Sequence, residues 1–116
     1  MESNIAVGVL TALAQETRLE AFRTLVKHEP SGVAAGELAR LLDVPQNTLS
    51  SHLTILTNAQ LVKSARHGRS IIYRANLDAV HELVLHLLKE CCNGNPELCA
   101  PLAKDILACA SSTECC

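Results

Sequence analysis

The stretch ELARLLDVPQNTLSSHLTIL, residues 37–56, predicts two short helices joined by a tight turn. The first helix spans residues 35–42, and Pro45 is favourable at the start of the second because a first-turn N–H has no helical partner to lose. The inward residues of the first helix are Leu38, Leu41 and Leu42. Two helices this close, with a turn of about three or four residues, are typical of a helix-turn-helix.

The second helix of this pair has two chemically different faces. Leu49, Leu53 and Leu56 recur at the spacing of one helical face and are expected to point inward. The opposite face is polar and uncharged and consists of Asn47, Ser50, Ser51 and Thr54. Small side chains that donate and accept hydrogen bonds suit a helix that reads base edges in a DNA groove. Since the N-terminal half reaches base edges most easily, the candidate contacts are Gln46, Asn47, Thr48, Ser50 and Ser51.

Cationic side chains are concentrated around these helices. Residues 40–74 contain one carboxylate and five cations, which are Arg40, Lys63, Arg66, Arg69 and Arg74, whereas the rest of the chain contains eleven carboxylates and five cations. Such a block is suited to DNA phosphate, and a basic surface that faces only solvent is the alternative. We expect Lys63, Arg66 and Arg69 to contact phosphates or a minor groove, adding affinity and salt sensitivity more than sequence choice.

The segments before the helix-turn-helix predict two further helices. Residues 5–14 are apolar on nearly every face, which is typical of a helix buried between partners. Residues 18–27 follow a capping box of Thr17 and Glu20, whose side chains each satisfy a free N–H at a helix start. The residues of this helix expected to point inward are Leu19, Phe22 and Val26.

The segments after it predict a β-hairpin and a long helix. Residues 61–66 and 69–75 have β-prone content, and His67-Gly68 between them fits a two-residue turn. Residues 77–92 predict a helix whose apolar face is broad enough to indicate dimerisation, and residues 101–110 predict a short last helix. The fold class is therefore mainly α with a β-hairpin, arranged as residues 1–92 and a cysteine-rich extension, residues 93–116.

Composition is consistent with one such domain and a tail. The chain has 116 residues, 48% of them apolar, and with no Trp, one Tyr and one Phe its core must be aliphatic. Charged and polar residues interrupt every apolar run before membrane-span length, and Met1-Glu2-Ser3-Asn4 lacks the basic start of a signal peptide. These features predict a cytoplasmic protein without a membrane partner.

The order of elements and several motifs resemble the ArsR family of metal-responsive winged helix-turn-helix repressors. The similar stretches are residues 10–14, Thr17-Arg18-Leu19, Glu37-Leu38-Ala39, residues 48–53 with Leu56, Leu61-Val62, Gly68-Arg69 and Ile72-Tyr73. The resemblance implies a homodimer, joined through the N-terminal helix and the long helix, whose two reading helices enter successive major grooves of double-stranded operator DNA. It also places His52 near DNA, although a structural role for this histidine is equally open.

Two positions depart from the family pattern. Pro45 stands where members often place a Ser or Thr cap, so another residue such as Asp43 has to cap the helix. Residues 36–42 contain no cysteine, although the family's commonest arsenic site has a cysteine pair on this helix. The sequence therefore lacks this form of arsenic site, and any effector site would lie elsewhere in the chain.

All six cysteines lie between Cys91 and Cys116. In a reducing compartment they are expected as thiols, and Cys91, Cys92 and Cys99 offer three soft donors that match trivalent arsenic or antimony. The sequence thus predicts a repressor without an organic cofactor that As(III) or Sb(III) releases from DNA. Cys109, Cys115 and Cys116 are open as a second site, an ion-gathering tail or residues without a role.

Several alternatives remain at this point. The effector can instead be methylated trivalent arsenic, which needs two thiolates, or zinc, cadmium or copper(I). Zinc-type ligands on the long helix would be Asp78, His81, His86 and Glu90, at spacings unlike the family's. A dimer that binds DNA without sensing metal is another alternative. A thiol enzyme acting on arsenic has little support, because the chain has no Cys-x-x-Cys motif and no phosphate-cradling loop beside a cysteine, so no enzymatic activity is expected.

Overall fold

Within residues 1–88 the computed structural model has five helices and a small antiparallel sheet; it also describes residues 100–101 and 104–106, which are helical. In chain order the elements are α1 (Ser3–Leu13), α2 (Glu16–Lys27), β1 (Val33–Ala34), α3 (Ala35–Leu42), α4 (Gln46–Asn58), β2 (Val62–His67), β3 (Ser70–Ala75) and α5 (Leu77–Leu88). The chain divides into two units, Met1–Leu83 and Val84–Cys116, and every described residue of the second unit is helical. The predicted fold class, mainly α with one β-hairpin, is confirmed.

The core of the first unit is aliphatic and centres on the helix-turn-helix formed by α3 and α4. Leu49, Leu53 and Leu56 of α4 are at most 1% exposed and belong to one buried cluster with Leu25 and Leu38. Burial of each such side chain stabilises the fold by about 1.5–3 kcal/mol. This packing fixes which side of α4 faces away from the protein.

For three residues the prediction that the side chain points into the core is wrong. Leu41 of α3 is 43% exposed because Leu38 and Ala39 supply the buried face of that helix. In α2 the buried residues are Ala21, Phe22 and Leu25, and this face leaves Leu19 and Val26 at its edges, 42% and 38% exposed. The apolar periodicity located the helices correctly but not the exact rotation of the two shorter faces.

The start of α2 also differs from the prediction. The helix begins at Glu16, and its N-cap is Gln15, whose Oε1 accepts a hydrogen bond from the Arg18 backbone N–H at 2.8 Å. Thr17 lies within the first turn, so it does not cap the helix as the capping box implied. Ala14, which ends α1, directly precedes Gln15 in the chain. The glutamine side chain is long enough to reach the first turn of α2 from this position.

The sheet has the strand order β1-β3-β2, and both pairings are antiparallel. We call β2, β3 and the turn between them the wing. His67 pairs with Ser70, so the turn residues are Gly68 and Arg69, one position later than predicted. Gly68 has a φ of +65°, which favours glycine at the first central position of a hairpin turn. The short strand β1, which the sequence did not predict, pairs Val33 with Tyr73 and Ala34 with Ile72.

A bidentate ion pair joins the inner part of the wing to the loop after α2. Arg74 Nε and Nη2 donate hydrogen bonds to the two carboxylate oxygens of Glu29 at 3.2 Å and 2.8 Å. This bonding and the charge of Arg74 hold the pKa of Glu29 below its ordinary value. The wing is therefore attached to the helical body in two ways, by the pairing of β1 with β3 and by the contact of Glu29 with Arg74.

Candidate nucleic-acid interface

The outward face of α4 carries only polar, uncharged side chains along its N-terminal half. Asn47, Ser50, Ser51 and Thr54 are exposed, opposite the buried leucines of the same helix. Thr54 Oγ1 donates a hydrogen bond to the Ser50 carbonyl at 3.0 Å, which leaves the threonine methyl group available for an apolar contact. Gln46 and Thr48 are also exposed, so five of the six predicted α4 contacts reach the surface.

The turn that leads into α4 keeps the helix start open. Asp43 adopts the left-handed conformation, with a φ of 55°, and ends α3 rather than capping α4. Pro45 is the N-cap of α4, has an extended backbone and makes no side-chain cap. Asn47 Oδ1 accepts from the Thr48 N–H at 2.9 Å. The positive end of the helix dipole is therefore presented to whatever anion approaches this end of α4.

The wing separates the three predicted phosphate contacts. Arg66 and Arg69 are exposed near its tip, in the last part of β2 and in the turn. Lys63 lies at the inner end of β2, on the opposite face of the ribbon from Arg66, because side chains alternate along a strand. It lines a cavity of about 880 Å³ that is also lined by α1, α4 and α5. Arg66 and Arg69 thus lie in the outer part of the wing, and Lys63 lies at its inner end.

The remaining cations of the basic block are neutralised within the chain. Arg40 is paired with Glu37 on α3, and this contact lowers the pKa of Glu37 and raises that of Arg40. Arg74 is paired with Glu29. By contrast Lys63, Arg66 and Arg69 form no ion pair within the described part of the chain. The cations with no carboxylate partner are therefore the three that the sequence assigned to phosphates.

His52 occupies the border between the buried and exposed faces of α4. It is half-buried, and its Nδ1 lies 3.3 Å from Nη1 of Arg18. Sequence analysis assigns Arg18 no functional role, since periodicity and charge patterning treat it as one more surface cation. Its only signal was its position within Thr17-Arg18-Leu19, one of the stretches similar to the family.

The predicted thiolate site lies outside the described residues. Cys91, Cys92 and Cys99, like Cys109, Cys115 and Cys116, belong to segments that the structure does not describe, and so does the proposed boundary between residues 92 and 93. Glu90 of the zinc alternative is outside as well. Across residues 1–88, 100–101 and 104–106, no three His, Cys, Asp or Glu side chains come together as a metal site.

The described helices include none that is both long and apolar enough to cross a membrane.

The arrangement of α3, α4 and the wing defines the winged helix-turn-helix class of DNA-binding domain.

Comparison with known proteins agrees with this class. A family of helix-turn-helix domains matches residues 13–65. The nodulation protein NolR of Rhizobium meliloti is 36% identical over 83 residues, which are 72% of this chain and 66% of that protein. This chain thus spans slightly less than two thirds of the length of that relative.

Two solved structures share both the fold and part of the sequence. An ArsR-like transcriptional regulator from Rhodococcus sp. RHA1 is 29% identical with a TM-score of 0.68, covering 84% of this chain and 89% of its own. NolR from Sinorhizobium fredii is 34% identical with a TM-score of 0.61, covering 75% of this chain and 84% of its own. The chain belongs to the ArsR-like winged helix-turn-helix transcriptional regulators.

Proposed function

We propose that this protein is a transcriptional repressor that binds operator DNA as a homodimer in the cytoplasm, with α4 in the major groove and the wing along the flanking backbone. One observation carries the proposal: the exposed polar face of α4 belongs to the same unit as Arg66 and Arg69, cations without a carboxylate partner among the described residues. Phosphate contacts supply most of the affinity of such an interface, and base-edge contacts supply the sequence choice.

The side chains of α4 favour half-site centres rich in A·T pairs. The helix carries no Arg or Lys, so it has no bidentate contact for guanine, whereas Asn and Gln pair with adenine and a threonine methyl contacts the thymine methyl. Selection of duplexes from a random-sequence library by the purified protein tests this, with Asn47→Ala as the variant and Asn58→Ala, at the far end of α4, as its control. G·C-rich half-site centres, or no enrichment of any sequence, contradict the proposal.

The homodimer is supported by apolar side chains that α1 and α5 each leave exposed. On α1 these are Ile5, Val7 and Leu10, and on α5 they are Leu77, Val84, Leu85 and Leu87. Exposed apolar residues repeated along a helix are typical of a protein–protein interface. A dimer places two copies of α4 about one helical turn of DNA apart, so the operator is expected to be an inverted repeat.

For the effector we propose As(III), or chemically similar Sb(III), bound by Cys91, Cys92 and Cys99. The support is the donor set in the sequence, three thiolates for an ion that forms three bonds. Release requires that the ion bind the DNA-free conformation more tightly, and a coupling of about 1–3 kcal/mol gives about 5-fold to 150-fold weaker DNA binding.

The test of the effector follows the fluorescence anisotropy of the selected duplex while arsenite is added. Single Cys→Ser variants at positions 91, 92 and 99 are expected to stay on DNA, and Cys115→Ser serves as the matched control. Normal release of the Cys91→Ser protein, or the absence of an ultraviolet sulfur-to-arsenic band in wild type, contradicts the arsenic assignment. Release by methylarsenite, zinc, cadmium or copper(I) in place of arsenite assigns the other effectors.

A further inference from the structure

The guanidinium of Arg18 lies at the junction of three helices. Arg18 belongs to the first turn of α2, and its Nε donates a hydrogen bond to the Ala12 carbonyl of α1 at 2.6 Å. Its Nη2 is 3.5 Å from the Thr11 carbonyl, and its Nη1 is 3.3 Å from His52 Nδ1 on α4. One side chain therefore connects the end of α1 to the middle of α4.

At the end of α1 this guanidinium satisfies carbonyl groups that the helix itself leaves free. The last four carbonyls of a helix have no intrahelical donor, and the negative end of the helix dipole favours a cation. Ala12 is only 2% exposed, so water has little access to its backbone. The Ala14 N–H reaches the Thr11 carbonyl at 3.2 Å, which leaves the Ala12 carbonyl to Arg18.

The contact with His52 constrains the proton on the imidazole ring. A guanidinium has five N–H donors and no acceptor, so the 3.3 Å contact is a hydrogen bond only when His52 Nδ1 carries a lone pair. In the neutral ring the proton then resides on Nε2. Where this hydrogen bond forms, it fixes both the tautomer and the orientation of His52.

We propose that Arg18 is a positioning residue for DNA binding, which holds α4 in place against the end of α1 through Nδ1 of His52. This inference rests on the proposed function, because α4 is the helix that would enter the groove. His52 immediately follows Ser51 on the exposed face and precedes the buried Leu53, so its anchoring fixes the rotation of the exposed face. Base readout tolerates only small displacements, so a loosened α4 loses affinity without the loss of any base contact.

Two substitutions of His52 separate its two ring nitrogens. Asparagine places an acceptor near the position of Nδ1, whereas glutamine places its amide near that of Nε2. If His52 acts through Arg18, His52→Asn binds the duplex selected by wild type within about threefold, and His52→Gln weakens binding by about 5-fold to 20-fold. The opposite pattern, in which only glutamine preserves binding, assigns Nε2 a direct DNA contact and overturns the proposal.

Arg18→Lys tests the other partner of the contact. Lysine keeps the charge but lacks the planar fork that serves two helices at once. We expect Arg18→Lys to lose about as much DNA affinity as His52→Gln. The double variant Arg18→Lys/His52→Gln should bind DNA about as well as the more weakly binding of the two single variants, because both substitutions remove the same contact. Losses that multiply in the double variant contradict a shared role. Thermal unfolding of each variant, read at the assay temperature, separates loss of fold from loss of positioning.

The ring nitrogens can be observed without DNA. In ¹⁵N-labelled wild type the chemical shifts of His52 are expected to show an unprotonated Nδ1 and a protonated Nε2, and Arg18→Lys should shift this balance toward a mixture of tautomers. A protonated Nδ1 in neutral His52 of wild type overturns the inference. If wild type selects no duplex at all, the proposed function fails, while the nitrogen shifts still decide whether the Arg18 contact exists.

Discussion

At the scale of single residues, Gly32 is the glycine, among those that the structure describes, with the least room for a side chain. It has a φ of +78°, and a Cβ at this position would lie 2.7 Å from Arg74 Cγ and 2.8 Å from both Ile72 Cγ2 and the Tyr73 carbonyl oxygen. The conformation and the contacts are separate constraints, because either alone disfavours a side chain. Glycine at this position is what allows β3 to pack closely against the loop before β1.

Gly32→Ala is expected to destabilise the protein by about 2–4 kcal/mol, through backbone strain and the displacement of β3. Gly68→Ala is the matched control, because Gly68 also has a positive φ but has no atom within 4 Å of an added Cβ. It should lose only the strain energy, about 1–2 kcal/mol. Urea unfolding of both variants measures the difference, and equal losses would show that the close contacts at Gly32 cost nothing.

The ion pair between Glu29 and Arg74 predicts a pH dependence of stability. Because Arg74 holds the pKa of Glu29 below its ordinary value of 4.5, the carboxylate stabilises the folded state at neutral pH. This contribution is fully present above 4.5 and is lost as the pH falls through the lowered pKa of the folded state. Arg74→Ala should therefore lower the urea midpoint at neutral pH and change it little once Glu29 is protonated.

The control for Arg74→Ala is Arg23→Ala, which removes an exposed pair with Glu20 whose nitrogen and oxygen are 3.5 Å apart. Such pairs contribute little to stability, so this variant should resemble wild type at every pH. A loss for Arg74→Ala that is the same in acid as at neutral pH would indicate that Arg74 acts through packing of its stem alone.

At the scale of helices and strands, the sequence predicted the elements whose position depends on neighbouring residues and missed those that depend on distant ones. The positions of α3 and α4 follow from the leucine spacing and from Pro45, and both were predicted nearly to the residue. Strand β1 was missed because its two residues are held by pairing with Tyr73 and Ile72, about 40 positions later, which no local pattern shows. The one-residue error in the wing turn arose because a Gly with positive φ fits either central position, and only the register decides between them.

The candidate site was predictable to a similar extent. The exposed polar face of α4 follows from its periodicity, so it could be found without a structure. The pairing of Arg74 with Glu29 could not, since the two residues are 45 positions apart in the sequence, whereas Glu37 and Arg40 are an i,i+3 pair on one helix. The separation of Lys63 from the tip cations depends on strand alternation within a register that only the structure gives.

The exposed apolar residues of α5 give a prediction for assembly. Leu85 is 51% exposed, and if it lies in the dimer interface, Leu85→Glu should shift the protein to monomers by burying a charge without a partner. Leu41→Glu on α3 is the control, since Leu41 is 43% exposed and lies outside α1 and α5. Sedimentation velocity measures both, and a Leu85→Glu protein that remains fully dimeric would exclude this part of α5 from the interface.

At the scale of the whole molecule, charge is divided between regions of the chain. The net charge is −2, yet residues 40–74 are basic, and after internal pairing the unpartnered cations within them are Lys63, Arg66 and Arg69. If the protein binds DNA as proposed, this basic block would favour approach of the duplex toward the wing and α4.

Arg69→Ala is expected to weaken binding to selected and to scrambled duplexes alike, because a phosphate contact carries no sequence information. It should also reduce the slope of log K against log salt concentration by about 1 for each phosphate contact removed. Arg23→Ala, an exposed cation on α2, should leave the slope unchanged. Anisotropy titrations at several salt concentrations provide the measurement, and an unchanged slope for Arg69→Ala would place this residue away from the backbone.

The register of the sheet divides the hairpin into an inner part that pairs with a third strand and an outer part that has two strands only. Strand β1 reaches only as far as Ile72, so residues 66–71 extend past the last third-strand pairing. A fluorophore attached to this overhang would respond to a nearby duplex while the body stays folded. One attached beside Tyr73 would instead report unfolding, so the same hairpin offers two independent optical signals for kinetic work.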